Sequence, residues 1–451
     1  MSVPAYRGAM TRLVLVLVAA AAVVGSAAAA GGSTRAAACA PVPAYKLPAN
    51  RPHYSLDFTV PPSGPITGRE TIRFRAVKTT SRIVLRMWAN SPVTRMAGAR
   101  ETATITSVTP AARRVASSET VIDLRLRRPL RAGQQATIAL RWTLRNADAG
   151  IGLSRLASAR NWIRLGSFFP LLAVDDRGNW ALDPPSSLAA ETWVSPTADW
   201  DVRLRLPRGW TLVSTGDPAG PNRYTARGVR DFALAAGRFA RRSVTVRAPA
   251  KVVVTATARD AATAQAFAQR AAQSLVRLAG LYGPYPWARY AVAVFDDLGR
   301  SGIEYPNVTF QGTESLERAT AHEAAHQWFY SLVGNNQARD PWLDESVASW
   351  AMTRVDAATA GIAATPIPDS VRGRLTAPMT YWDRVPRDYF AGVYAQGYEA
   401  FASLGDPERT DCALKLYVAR NAYGVATVPE LVDALADRLP ADALKRLATY
   451  G

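Results

Sequence analysis

The sequence predicts an α+β protein in which an antiparallel, β-sandwich-like domain precedes a mostly helical one. Three observations predict it. Short runs of alternating polar and apolar residues fill residues 40–245, the period becomes helical near residue 260, and helical patterns then run on to Tyr450. With 451 residues the chain is long for a single core, and two domains are expected, at 40–245 and 246–451.

The first segment has the composition of a secretory signal. Arg7 and Arg12 precede the apolar run Leu13 to Val24, and small residues follow from Gly25 to Gly32. The signal is expected over residues 1–30, or 1–38 if the mature chain starts at Cys39. No later stretch reaches about 18 uninterrupted apolar residues, so no transmembrane segment is expected. Cys39 has three readings. Ala36-Ala-Ala-Cys39 resembles a lipoprotein cleavage box, but Gly31, Gly32 and Arg35 separate it from the apolar run. The favoured reading is a disulfide with Cys412, the only other cysteine, and free thiols are the third.

Strands account for the first domain. Thr71-Ile-Arg-Phe-Arg-Ala-Val77, Val121-Ile-Asp-Leu-Arg-Leu126 and Asp201-Val-Arg-Leu-Arg-Leu206 alternate with period two and keep arginine on the outer face. Pro61-Pro-Ser-Gly64, Pro129, Pro207-Arg-Gly209 and Pro218-Ala-Gly220 punctuate them. The aromatic stretch Ser167-Phe-Phe-Pro170, with Asp175 and Asp176, is expected as a long loop bordering a cleft and is assigned no chemistry.

In the second domain a strand is expected from Lys251 to Ala258 and a helix over Ala261 to Leu281, with Phe267, Ala271, Leu275 and Leu278 at helical spacing. Gly283-Pro-Tyr-Pro286 ends that helix, and Tyr290 to Phe295 is a buried strand. An edge segment around Glu304 follows, then helices over Glu317 to Val333 and Pro341 to Val355.

The chemistry lies in those two helices. Residues 322–326 read His-Glu-Ala-Ala-His, and Glu345 follows nineteen residues after His326. Positions i and i+4 share a helix face, so His322 and His326 can aim at one metal ion. Glu323 sits at the edge of that face, close to a metal-bound water without being a ligand. Glu345 completes a set of two histidines and one glutamate with the fourth position open, as hydrolytic zinc requires; one Zn2+ per chain is expected. The chain has 3 histidines and two of them are in this pentapeptide, which argues against coincidence.

The run His322-Glu-Ala-Ala-His-Gln-Trp-Phe329, followed by Trp342-Leu-Asp-Glu-Ser-Val-Ala348, resembles the HExxHxW…WLNEGFA signature of the aminopeptidase N and leukotriene hydrolase family of gluzincins. Ser301-Gly-Ile-Glu-Tyr-Pro306 resembles that family's Gly-x-Met-Glu-Asn exopeptidase motif, and Val393-Tyr-Ala-Gln-Gly397 its Tyr-Glu-Lys-Gly segment. The resemblance implies a saddle-shaped N-terminal β domain and a thermolysin-like catalytic domain. It implies an exported zinc aminopeptidase acting on peptides with a free N-terminus. Glu323 would serve as general base, Tyr394 would stabilise the oxyanion, with Tyr389 and Tyr398 as rivals, and Glu304 would pair with the substrate ammonium. Gly302 would let the substrate backbone approach the edge strand. Departures from the pattern are Ile303, Tyr305, Pro306, Asp344, Ser346 and Gln396, none of which removes a ligand or the base. About a hundred residues follow Glu345, so the large helical domain that caps the cleft in longer relatives is expected to be missing, and an open cleft would also suit an endopeptidase. A third reading is a non-catalytic envelope-binding protein with a vestigial zinc site, which the intact Glu323 argues against.

Net charge is +18, and all but five of the 54 basic residues are arginine. They are scattered rather than striped, which excludes a nucleic-acid interface and suggests at most loose adsorption to an anionic cell envelope.

Overall fold

The computed structural model describes residues 39, 41–92, 103–109, 113–116, 120–145, 155–188, 192, 194–356 and 361–451. The expected signal segment lies outside them. Among the described residues no helix is long and apolar enough to cross a membrane.

The first domain is built on a seven-stranded sheet with two four-stranded sheets beside it. Strand Ile66–Arg75 shows why the alternating sequence folds this way: its side chains alternate between buried and exposed, with Arg69, Arg73 and Arg75 outward. It pairs antiparallel with Gln135–Leu144 along its whole length. The sheet is not antiparallel throughout, as expected, because His53–Thr59 runs parallel to Ala198–Arg205. A parallel neighbour needs a long crossover, and residues 60–197 provide one. The aromatic stretch at residues 167–170 also departs from expectation. Phe168 and Phe169 are fully buried and pack on Phe58, Trp142 and Trp200 inside the β domain, so they belong to its core and not to a cleft.

The five-stranded sheet of the second domain starts earlier than the boundary expected at 246. Strand Ala240–Arg247 forms a hairpin with Lys251–Ala258 in unbroken antiparallel register, which ties it to the second sheet rather than the first. Helix Ala261–Tyr282 covers this sheet; Asp260 caps it by accepting from the Thr263 N–H at 2.9 Å, and Phe267, Ala271, Leu275 and Leu278 face the core. The opposite edge of the sheet is strand Gly302–Tyr305, paired on one side only, with Val308–Gly312. Its free edge is the kind of template to which an extended peptide can add.

Two helices complete the frame. The helix carrying the histidines spans Thr320–Ala325, shorter than the expected run to Val333. The chain leaves helical geometry after His326: Ser331 N–H bonds back to His326 O, and Tyr330 takes a positive φ of 133°. The Glu345 helix spans Trp342–Val355, close to expectation. Arg230, from the first domain and fully buried, donates to Ser195 O, Ser331 O and Gly424 O and so fastens the turn after His326 to the β domain. Cys39 and Cys412 form a disulfide, tying the start of the described chain to helix Pro407–Asn421.

Candidate active site

His322 and His326 are brought together by helical spacing, with their ring centroids 4.6 Å apart. The Glu345 helix crosses beside them, and three donor atoms converge. His322 Nε2 lies 3.0 Å from His326 Nε2 and 3.1 Å from Glu345 Oε2, and His326 Nε2 lies 3.3 Å from the same oxygen. Donors bonded to tetrahedral zinc at about 2.0–2.1 Å stand roughly 3.3 Å apart, so the spacing suits that ion. No cysteine is near, which fits a hydrolytic rather than a closed structural site. Among the described residues this is the one His/Cys/Asp/Glu group able to hold a metal.

Second contacts fix the ligands. His326 Nδ1 is 3.0 Å from Phe329 O; a proton on Nδ1 donates there and leaves Nε2 bare for a metal. That carbonyl is available because the helix has already ended. Burial opposes charge on Glu345, but the two imidazoles outweigh it and hold the carboxyl well below the usual range. Burial pushes the His322 pKa down. It opposes the charged form of His326 as well, but Glu345 and its neighbours win and hold that pKa up. Asp344, in place of the usual Asn, is buried and accepts from Gln337 Nε2 at 2.9 Å and Asn335 Nδ2 at 3.2 Å. Burial, with Glu345 alongside, raises its pKa above the ordinary carboxylate value.

Glu323 is 4% exposed, and its Oε2 has no hydrogen-bond partner. Burial, strengthened by Glu304 and Glu345, raises its pKa well above the carboxylate range. An orphaned buried carboxyl beside three converging donors is what a cation and its water would satisfy. Gly302 lies directly against it: a Cβ at 302 would fall 2.1 Å from Glu323 Oε1. The side chain that Gly302 lacks leaves room for the Glu323 carboxyl.

Two residues further along the same strand, Glu304 is 5% exposed. Its Oε1 is 3.5 Å from the guanidinium of Arg155, itself buried and reaching in from the first domain. Arg155 also donates to Tyr305 Oη at 3.2 Å and lies over the Trp88 and Tyr305 rings. Sequence reasoning missed Arg155. It is one arginine among many, and no local pattern distinguishes it.

Tyr394 stacks on His322 at 5.6 Å between centroids. It sits in a π-helical turn, Phe390–Ala395, of a kind often found at functional sites. Tyr389 packs edge-on against it at 5.7 Å, one ring further out, while Tyr398 stacks on Trp350. Of the three tyrosines, Tyr394 is the one against a ligand. Gln396, in place of Lys, fastens the turn by accepting from Gly373 N–H at 2.8 Å and donating to Gly392 O and Val371 O. Ser346 donates to Val393 O at 2.8 Å and packs on Gly397.

No family model matches the chain. Human "Aminopeptidase RNPEPL1" is 27% identical over 188 residues, 36% of this chain and 26% of that protein. Human "Aminopeptidase B" is 29% identical over 197 residues, 37% of this chain and 30% of that protein. The chain thus spans less than a third of the length of these curated relatives. Among solved structures, an M1 zinc metallopeptidase from Deinococcus radiodurans superposes with a TM-score of 0.64 at 20% identity, over 89% of this chain and 93% of that one. A mutant of that enzyme, bound to a Tyr-Ser-Ala substrate, gives 0.61 at 20% identity, over 89% and 93%. The chain thus has the two-domain fold of an M1 zinc metallopeptidase and is similar over about a third of its length to aminopeptidases, with a converging donor triad that suits zinc.

Proposed function

We propose that the protein is an exported zinc aminopeptidase that removes N-terminal residues from peptides. The observation that carries the reading is the edge strand Gly302–Tyr305, which carries the buried Glu304, paired with Arg155, and packs through Gly302 on the buried Glu323 of the histidine helix.

His322, His326 and Glu345 would hold the zinc, which supplies a Lewis acid and an acidified water. Glu323 takes the proton of the attacking water and later delivers it to the departing amine. The Tyr394 phenol donates to the oxygen that becomes negative as the carbonyl is attacked, which favours the transition state over the ground state. Glu304 receives the substrate α-ammonium, with Arg155 holding its carboxylate in place. The free edge of the strand takes the peptide backbone.

The test uses one peptide in free-amine and N-acetylated forms. Free-amine peptide should be cleaved at least tenfold faster, and Glu304→Gln should remove most of that preference. Equal cleavage of both forms would turn the assignment into an endopeptidase. Export is supported by the disulfide, which persists in oxidising compartments. A sulfur bonded to Cys412 is not available for a lipid thioether, so the reading favours release over lipid anchoring. The net charge of +18 leaves loose adsorption to an anionic envelope as part of the same proposal.

A further inference from the structure

The ring stack beside the metal ligands continues outward from Tyr394. Phe390, in the same π-helical turn, lies nearly parallel to Tyr394, with centroids 5.1 Å apart and planes 22° apart. Phe390 is 40% exposed, unusual for so large an apolar side chain in this protein. Over its ring, 5.9 Å from the centroid, stands the guanidinium carbon of Arg318. Arg318 is exposed and has no ion pair or hydrogen bond with its side chain among the described residues. A wall therefore leads from the His322 imidazole through a phenol and a phenyl ring to an unpaired cation.

Two contacts show which way that wall lies from Glu304. Gly302 abuts Glu323, and Tyr305 O accepts from Gln327 Nε2 at 3.0 Å. Three steps along the strand match four along the helical segment, so strand and helix run in the same direction. Glu304 is towards the Gln327 end. Arg318 lies beyond the other end, one turn before His322, on a helical path continued by the Glu323 N–H to Ala319 O and Ala319 N–H to Ser315 O bonds. A peptide with its ammonium at Glu304 and its first carbonyl at the donor triad must leave towards Arg318. Four residues of helix rise about 6 Å, and two extended peptide residues span about 7 Å. The cation is thus placed for a carboxylate one or two residues beyond the cleaved bond.

We propose that Arg318, with Phe390 as an apolar floor, reads the free C-terminal carboxylate of short substrates, so that dipeptides and tripeptides are the preferred class. This rests on the aminopeptidase reading above and names its leaving-group subsite. A partly exposed guanidinium–carboxylate contact predicts a several-fold effect.

The experiment compares kcat/KM for one tripeptide as free acid and as C-terminal amide. The expected acid-to-amide ratio is about five to ten in the wild type, near one in Arg318→Gln, and intermediate in Arg318→Lys. Taking the ratio within one protein cancels any loss of folding or chemistry. A wild-type ratio of one, or a ratio that persists in Arg318→Gln, would overturn the assignment. An aminoacyl anilide, which has no carboxylate, reports the chemistry separately; failure to cleave it would count against the aminopeptidase reading alone. In that event calorimetric binding of acid and amide to Glu323→Gln still decides for Arg318, with equal affinities counting against it.

Discussion

The two domains bury charge in opposite ways. In the β domain the aromatic core, with Tyr54 stacked on Trp200 at 3.9 Å and Phe58, Trp142, Phe168 and Phe169 around it, encloses the Glu70 carboxyl, neither of whose oxygens has a hydrogen-bond partner, while the buried Asp123 and Asp231 are held by Arg82 and Ser167. In the second domain four acids, Glu304, Glu323, Asp344 and Glu345, are packed around two histidines. Three of these acids have partners: an arginine, a pair of amides, or the imidazoles. The remaining one, Glu323, keeps an oxygen without a hydrogen-bond partner. The lesson is that an unpaired buried carboxyl identifies a site only when its neighbours are also polar; alone among aromatics it is a load on the fold.

Four changes would sharpen or break that contrast. The largest effect is expected for Glu323→Gln, which should reduce peptide hydrolysis by about 10³-fold while metal content, measured by elemental analysis, stays near one zinc per chain. Activity surviving in that variant would end the general-base assignment. Next, Tyr394→Phe should lower kcat about 10²-fold with little change in KM, because the lost donor acts on the transition state. A change confined to KM, seen in steady-state kinetics, would instead make the phenol a binding group. Arg155→Gln removes the partner of a buried carboxylate and should cost about 3 kcal/mol of stability in denaturant unfolding. Its KM for free-amine substrates should also rise, a change that packing loss alone would not produce.

The smallest effect belongs to Glu70. Burial raises its folded-state pKa well above the ordinary value of 4.5, so the native state holds a proton that the unfolded chain releases. Stability from this group is therefore intact below pH about 4.5 and is lost as pH rises from there towards the folded value. Glu70→Gln should flatten that fall and raise stability at neutral and alkaline pH by about 1–2 kcal/mol, seen as a higher melting temperature there. Parallel melting curves for both proteins across pH would show instead that water or relaxation already satisfies the carboxyl.

Much of the site was legible because its chemistry is written locally. His322 and His326 are four apart on one helix, and Glu345 opens the next one, so spacing alone predicted the convergence seen. Glu304 and Gly302 were found through their strand. Features that depend on distant parts of the chain were not legible. Arg155 meets Glu304 from 149 positions away in sequence, the parallel pairing of His53–Thr59 depends on a strand near residue 200, and the burial of Phe168 and Phe169 depends on rings from three other segments. The early end of the histidine helix was also hidden, because Ala, Gln, Trp and Phe after His322 are all compatible with helix. What stops it there is tertiary: Trp328 donates to Gly283 O at 3.0 Å, Gln327 holds Tyr305 O, and Arg230 draws in Ser331 O.

The Cys39–Cys412 bond, whose ends are 373 positions apart in sequence, turns nearly the whole described chain into a closed covalent loop that threads both domains. A single cut inside that loop would leave one particle, its two pieces still joined through sulfur.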